Sequence, residues 1–441
     1  MGNYQPGRRT VLAAGVSALA TGGLAACGAA SKGPVEFEYW HINTKTFGLP
    51  AIQKAVSNFN DANDDIRVKA RFAGASAYTS LLSNLQTAIA GGHPPGVAQI
   101  GYLYSDYVKA NFPYVPLADL IDKYGPSDFL DQFAETSLPL AKTSDGEQFA
   151  APYAISNVVM YMNGDVFKKH DLDADDPPTT WPQWRKLAEK YKEKTGKPLI
   201  YIQVLDDNWT NTALILSNGG SLTECKGGHP HASFDEPKAT EAIQFWADLV
   251  KDGLCLNVPQ PQGEQEFIAG HVPVYGTTIG KRASFDEASN FTLKGTKWPS
   301  FPGQKVKLPA GGNELVVFAQ DEHVQEAAWK FIQSLYTPES ITAWVKGTGY
   351  LPPTTGAVLE EEKYLGSYFK KYPIAELSRE QLKNTVPWDY FPGPDGLEAG
   401  SKGFFGEGLQ PALGGQKTAQ QAADDAAKTV NAAIEGESCG K

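Results

Sequence analysis

Val35-Glu36-Phe37-Glu38-Tyr39-Trp40, Ile66-Arg67-Val68-Lys69-Ala70-Arg71-Phe72 and Val97-Ala98-Gln99-Ile100 read as three strands, and what lies between them decides the fold. The first two alternate apolar and polar residues with the period of a pleated strand, and the third reads as buried. Between the first and second, Pro50 to Asn60 sets Ile52, Ala55, Val56 and Phe59 on one helical face. Between the second and third, Ser76 to Ala90 lines up Tyr78, Leu81, Leu82, Leu85 and Ile89 in the same way. Gly91-Gly92-His93-Pro94-Pro95 then stops the helix. Strand, helix, strand, helix, strand is the order of an α/β layer on a parallel sheet.

The order resumes further on. Phe149 to Ala154 leads into a strand at Val158-Val159-Met160-Tyr161-Met162, followed by a short helix from Val166 to His170. Asp171 to Thr180 is an acidic, proline-containing loop. Trp181-Pro182 opens a helix to Thr195, and Leu199 to Val204 returns to strand. Further helices are predicted near Lys238 to Asp252, Glu264 to Ala269, Glu322 to Tyr336, Pro338 to Gly347 and, in the alanine-rich tail, Thr418 to Ile434. No period of 20–50 residues is visible, which excludes a solenoid.

The N-terminus reads as an address. Arg8-Arg9 precede a weakly apolar run to Ala26 that is shorter than the roughly 20 residues a membrane span needs. Residues 1–26 therefore read as a signal peptide. The paired arginines suggest Tat export, although Sec leaders carry the same pair. Leu24-Ala25-Ala26-Cys27-Gly28 resembles a bacterial lipobox, which implies lipidation of Cys27 and anchorage to the outer face of the cytoplasmic membrane. Residues 27–34 read as a tether.

The net charge is -11, and loss of the leader with its two arginines makes it more negative still. No basic stripe is available to neutralise phosphates, so a nucleic-acid partner is excluded. With Cys27 lipidated, Cys225, Cys255 and Cys439 remain, and a disulfide between Cys225 and Cys255 is expected, with Cys439 free. No Cys-x-x-Cys pair exists. Asp171, Asp173 and Asp175 have calcium-loop spacing, but Asp176 stands where the loop needs glycine and Pro182 where it needs its last glutamate. His229-Pro230-His231 reads as an exposed turn. No metal and no cofactor are expected.

Five stretches, in order along the chain, carry a resemblance: Phe37 to His41; Ala90 to Pro95; Pro152-Tyr153-Ala154-Ile155-Ser156 with Tyr161 to Lys169; Asp175 to Trp181; and Gly347-Thr348-Gly349-Tyr350-Leu351-Pro352-Pro353. Together they resemble extracellular solute-binding protein family 1, the maltose-binding type, whose nearest branch is the glycerol-3-phosphate-binding periplasmic proteins. The resemblance implies a two-lobed, type II-like periplasmic-binding-protein fold with the ligand in a cleft between lobes. It also implies a monomer that hands its ligand to the permease of an ABC importer. The lobes are expected to be 35–154 plus about 310–346, and about 155–309 plus 347–441. Crossings are expected near Ile155-Ser156, Pro309 to Asn313 and Gly347 to Leu351.

Matching that branch position by position implies ligand contacts at Tyr78, Ser156, Thr278, Gly312 and Tyr350. Tyr102 stands where the branch has a glutamate, and Lys402 roughly where it has a phosphate-facing arginine. A lysine lacks the bidentate fork, so a sugar is expected ahead of glycerol-3-phosphate or a glycerophosphodiester. Sugar sites pair stacking aromatics with planar polar groups, and the chain has 9 Trp and 19 Tyr to supply them. Trp40 and His41 end the first strand, where open α/β sheets place ligands, although Trp40 also suits the core. Trp209 follows Asp206-Asp207-Asn208 in an expected loop and suits a stacking platform. Gly311-Gly312-Asn313 suits close backbone approach to a ligand or a hinge turn, and Trp388 with Tyr390 forms a further aromatic loop.

An extracellular glycosidase is the enzyme alternative, needing two carboxylates across the cleft. No Gly-x-Ser-x-Gly, His-Glu-x-x-His or phosphate loop is present to support other chemistry. A lipid-anchored adhesion protein would show no saturable small-molecule binding.

Overall fold

The computed structural model describes residues 33–74, 78–388, 390–393 and 395–439. The leader, Cys27 and most of the tether lie outside the described residues. So does Ser76, the expected start of the second helix, which is described from Tyr78.

In chain order the strands are β1 (Val35–His41), β2 (Ile66–Phe72), β3 (Val97–Gly101), β4 (Ala151–Ser156), β5 (Val158–Asn163), β6 (Ile200–Ile202) and β7 (Thr223–Lys226). They continue with β8 (His229–Ala232), β9 (Cys255–Leu256), β10 (Val274–Thr278), β11 (Leu293–Lys297), β12 (Leu308–Pro309), β13 (Gly311–Val317) and β14 (Thr385–Val386). Two five-stranded sheets organise them, one ordered β2-β1-β3-β13-β4 and the other β11-β5-β10-β6-β9.

The first sheet is not purely parallel. β1 runs parallel to β2 and β3, but β13 enters from the far end of the chain and pairs antiparallel with both β3 and β4. The local β-α-β pattern cannot announce a strand that returns two hundred residues later. In the second sheet β5 lies antiparallel to β10 and β11, whereas β10, β6 and β9 are parallel.

Alternation along β1 builds two cores. Phe37 and Tyr39 face helices Leu49–Ala62 and Glu322–Leu335, where Phe331 meets the rings of Phe37, Tyr39 and Phe59 edge-on. Trp40 points the other way, into a cluster with Leu81, Leu82 and Leu85 of helix Tyr78–Ala90. Behind the second sheet, Trp181, Trp184, Trp246 and Trp298 are fully buried. Burying side chains of this size contributes roughly 1.5–3 kcal/mol or more each. Helix Trp181–Thr195 starts where the sequence says: Thr180 and Gln183 form a reciprocal capping box around Pro182.

The chain crosses between the sheets with little slack. Asn157 alone separates β4 from β5, and its side chain is tied to Ser378 and Gln381. Pro309 and Ala310 lead into β13, and Leu351 exchanges backbone hydrogen bonds with Ile155. Gly312 has φ 112°, and a Cβ there would overlap the carbonyl oxygen of Ala154. Only glycine lets β13 pass β4 at this separation. Gly311-Gly312-Asn313, expected to serve close approach to a ligand or a hinge turn, forms the first three residues of strand β13.

The C-terminal helix Ala419–Ala433 packs against helix Pro237–Lys251 and the wide-turned segment Ala399–Leu409. The expected disulfide is corrected here. Cys225, on the β7–β8 hairpin, bonds to Cys439, whose N–H also donates to Gly228. Cys255 is free and buried in β9, where burial pushes its thiol up to about 12. The sheet register holds it opposite Ile200, away from the outer hairpin that the chain's end returns to meet. Among the described residues no helix is long and apolar enough to cross a membrane.

Candidate ligand-binding site

A cleft of about 610 Å³ opens between the sheets at the crossings. That is ample for a small polar ligand. From the first sheet, the loop after β1 contributes Ile42, Thr44, Thr46 and Phe47, and the turn after β3 contributes Tyr102 and Tyr104. Tyr78 and Thr79 begin the helix behind them, and Ser156 ends β4. From the second sheet, the segment after β6 supplies Gln203, Asp206, Asp207 and Trp209. Thr278 and Lys281 follow β10, with Gln260 and Glu264 on the neighbouring helix. The crossings add Ala310, Gly311, Gly312 and Tyr350, and Trp388 closes one end. Most of these follow the carboxyl ends of strands, where an open sheet leaves room for a ligand.

The rings are held by contacts within the protein. Tyr78 donates to the Gly312 carbonyl at 3.3 Å and accepts from Asn313 Nδ2 at 3.0 Å. Tyr102 donates to the Ala154 carbonyl at 3.0 Å. Tyr350 stacks on Trp344 with centroids 5.6 Å apart and leans on Phe47. Trp209 Nε1 donates to Pro309 O, and its ring lies on Gly311 so closely that a Cβ there would overlap it. Ser156 and Thr278 hydroxyls meet at 2.5 Å and join β4 to β10 across the cleft floor.

Charge is unevenly placed. Lys281 is the one basic side chain lining the cleft among the described residues, and it pairs with Glu264 at 3.0 Å while lying 4.9 Å over the Phe47 ring. Asp206 and Asp207 have no ion-pair partner among the described residues. Burial pushes the Asp207 carboxyl up to about 6 against the pull of the Trp209 N–H, and Asp206 pushes the same way.

Of the residues singled out in the sequence, Tyr78, Tyr102, Ser156, Trp209, Thr278, Gly312, Tyr350 and Trp388 are brought together on the cleft wall. Four are not. Trp40 is on the opposite face of β1, its Nε1 donating to Glu38 and its ring beneath Arg71. The pleat sends it there; the loop one residue beyond the strand reaches the cleft instead. His41 is buried, accepts from the Asn43 N–H, and is pushed down to about 4 by burial. Asn313 lies behind Tyr78 as its hydrogen-bond donor. Lys402 is exposed on the Ala399–Leu409 segment, paired with Glu398 one helical turn away. Trp209, expected in a loop, is the first residue of helix Trp209–Leu216 and nearly buried.

Phe47, Tyr104, Gln203, Asp206, Asp207, Gln260, Glu264 and Lys281 were not singled out. Position just after a strand would have flagged Tyr104, Gln203 and Lys281. Nothing local flags Gln260 or Glu264, which a helix face turns inward.

Residues 54–376 match the family model for bacterial extracellular solute-binding proteins. The chain belongs to that family. The binding protein is 26% identical over 414 residues to the sn-glycerol-3-phosphate-binding periplasmic protein UgpB of Rhizobium meliloti, covering 90% of this chain and 94% of that one. Its fold matches the crystal structure of UgpB from Mycobacterium tuberculosis in complex with glycerophosphocholine, with a TM-score of 0.79 at 20% identity, covering 91% and 98% of the two chains. It also matches an ABC substrate-binding protein of Listeria monocytogenes in complex with cycloalternan, with a TM-score of 0.77 at 21% identity, covering 92% and 100%. The two-lobed solute-binding fold, with its cleft between lobes, is thereby that of this protein.

Proposed function

We propose that this binding protein captures a sugar or oligosaccharide in the cleft and delivers it to the permease subunits of an ABC importer. The observation that carries the sugar reading is the make-up of the wall: aromatic rings from both sheets, hydroxyls and amides between them, and no arginine among the described lining residues. Flat sugar faces stack on such rings while their hydroxyls meet the polar groups. A phosphomonoester would find one lysine already neutralised by Glu264, and two unpaired aspartates.

The names of the relatives favour a second reading, glycerol-3-phosphate or a glycerophosphodiester. A diester carries less charge than a monoester and fits this wall better.

In the sugar reading the lobes are 35–154 plus about 310–346, and about 155–309 plus 347–441. Closure is a population shift that the ligand drives by its extra contacts in the closed state. The solute leaves unchanged, as expected of a binding protein rather than a glycosidase. The chain works as a monomer, exported by a Tat-type leader and held at the membrane's outer face by lipid on Cys27.

A thermal-shift screen against mono-, di- and oligosaccharides, glycerol phosphates and glycerophosphodiesters tests the reading. A ligand at 100 times its dissociation constant stabilises the fold by about 2.7 kcal/mol. A shift with a sugar is the expected result. A shift confined to the phosphate esters would replace it with the second reading.

A further inference from the structure

The two aspartates of the cleft are set among rings. The Tyr104 phenol, from the first sheet's side, lines the same cleft as Asp206 and Asp207 and is raised first by burial, then by Asp207, Tyr390 and Asp206. Tyr104 is 3% exposed, lines the cleft, and its hydroxyl has no hydrogen-bond partner among the described residues. Tyr390 lies behind this part of the wall, its hydroxyl accepting from Asn208 at 2.9 Å, and its phenol is raised first by burial and then by Asp207 and Asp206. Trp388 meets Tyr390 edge-on at 6.0 Å, and its Nε1 is buried without a partner among the described residues.

So this part of the cleft holds two carboxylates, aromatic rings, and donors that no described residue satisfies. The one lysine lining the cleft among the described residues is paired with Glu264. Hydroxyls of a neutral sugar would satisfy the donors but leave the paired negative charge standing. A cation enclosed by carboxylates and ring faces satisfies both conditions.

We propose that the Asp206–Asp207 end of the cleft is a subsite for a positively charged nitrogen, so that the solute is a sugar bearing a protonated amine. This rests on the sugar reading above for the rest of the cleft. The ammonium lies against the two carboxylates, flanked by the cleft-lining rings of Tyr104 and Trp388, and Trp209 carries the adjoining ring.

Calorimetric titration of the full chain tests this with disaccharides of matched size: cellobiose, N,N′-diacetylchitobiose and the glucosamine disaccharide. Choline is added as a cation without a sugar. The expected result is that the glucosamine disaccharide binds about tenfold or more tightly than both neutral sugars. Asp206→Asn and Asp207→Asn, checked for unchanged melting, are expected to abolish that preference. Equal or weaker binding of the cationic sugar would overturn the subsite and leave the sugar reading standing. Binding of choline alone, sensitive to Asp207→Asn, would support the subsite and remove the sugar reading. Silence toward every cationic probe would overturn the proposal.

Discussion

The two walls of the cleft are built from the same fold but do different work. The first-sheet wall, with Phe47, Tyr78, Tyr102 and Tyr104, is aromatic and carries no charged side chain among its described lining residues. The second-sheet wall carries every charged group of the cleft: Asp206, Asp207, Glu264 and Lys281. One wall therefore supplies stacking surface that any sugar face can use. The other supplies the electrostatics that choose among solutes.

The largest effect expected is at Trp209, the ring of the charged wall that also braces the crossing at Gly311. Trp209→Ala should lower stability by about 3–5 kcal/mol and weaken ligand binding together, read by denaturant unfolding and calorimetry. Loss of binding with unchanged stability would show that Trp209 belongs to the ligand surface alone.

Next is Glu314, buried in β13 beneath the aromatic wall. Ser105 donates to its Oε1 at 2.6 Å, Oε2 has no partner among the described residues, and burial pushes the carboxyl up to about 8. The folded chain thus holds a proton that the unfolded chain releases near the ordinary carboxyl value. The stability this contributes is complete at acid pH and is lost as pH rises through about 8. Melting should fall between pH 5 and pH 9 by an amount on the order of a few kcal/mol. Glu314→Gln should flatten the profile; an unchanged slope would assign the pH dependence to another group.

Tyr78→Phe removes the hydroxyl that ties the aromatic wall to Gly312 and Asn313, with an expected cost of about 1 kcal/mol in stability. Its effect on affinity sharpens the contrast between the walls: it should scale alike for neutral and charged ligands, unlike a change at Asp207. Smallest is Lys402→Ala. Its pair with Glu398 is exposed, so stability should change by less than about 0.5 kcal/mol and affinity not measurably. A tenfold loss of affinity would bring Lys402 back as a ligand contact.

How far the sequence reached follows from what is local. The period-two and period-3.6 patterns from Val35 to Ile100 place strands and helices within a residue or two, because each element's burial is written along itself. Thr180-Trp181-Pro182-Gln183 marks a helix start because its cap is made within four residues. Trp40 shows the limit: alternation gives it a face of β1 but not what covers that face, and helix Tyr78–Ala90 covers it. Gln260 and Glu264 show another, since a polar helix position reads as solvent-facing until a second sheet is set opposite.

By itself, the sequence determined the α/β class, the order of elements from Val35 to Ile100, the family and the glycine and aromatic character of the crossings. These rest on periodicity and on residues whose backbone demands are their own. Only the tertiary structure decided that β13 returns antiparallel into the first sheet, and that Cys439 rather than Cys255 meets Cys225. It also decided that Lys281 rather than Lys402 is the cation of the cleft. Each of those joins residues far apart in the chain, and their meeting is set by how the two sheets and the C-terminal helix pack, which no local pattern encodes.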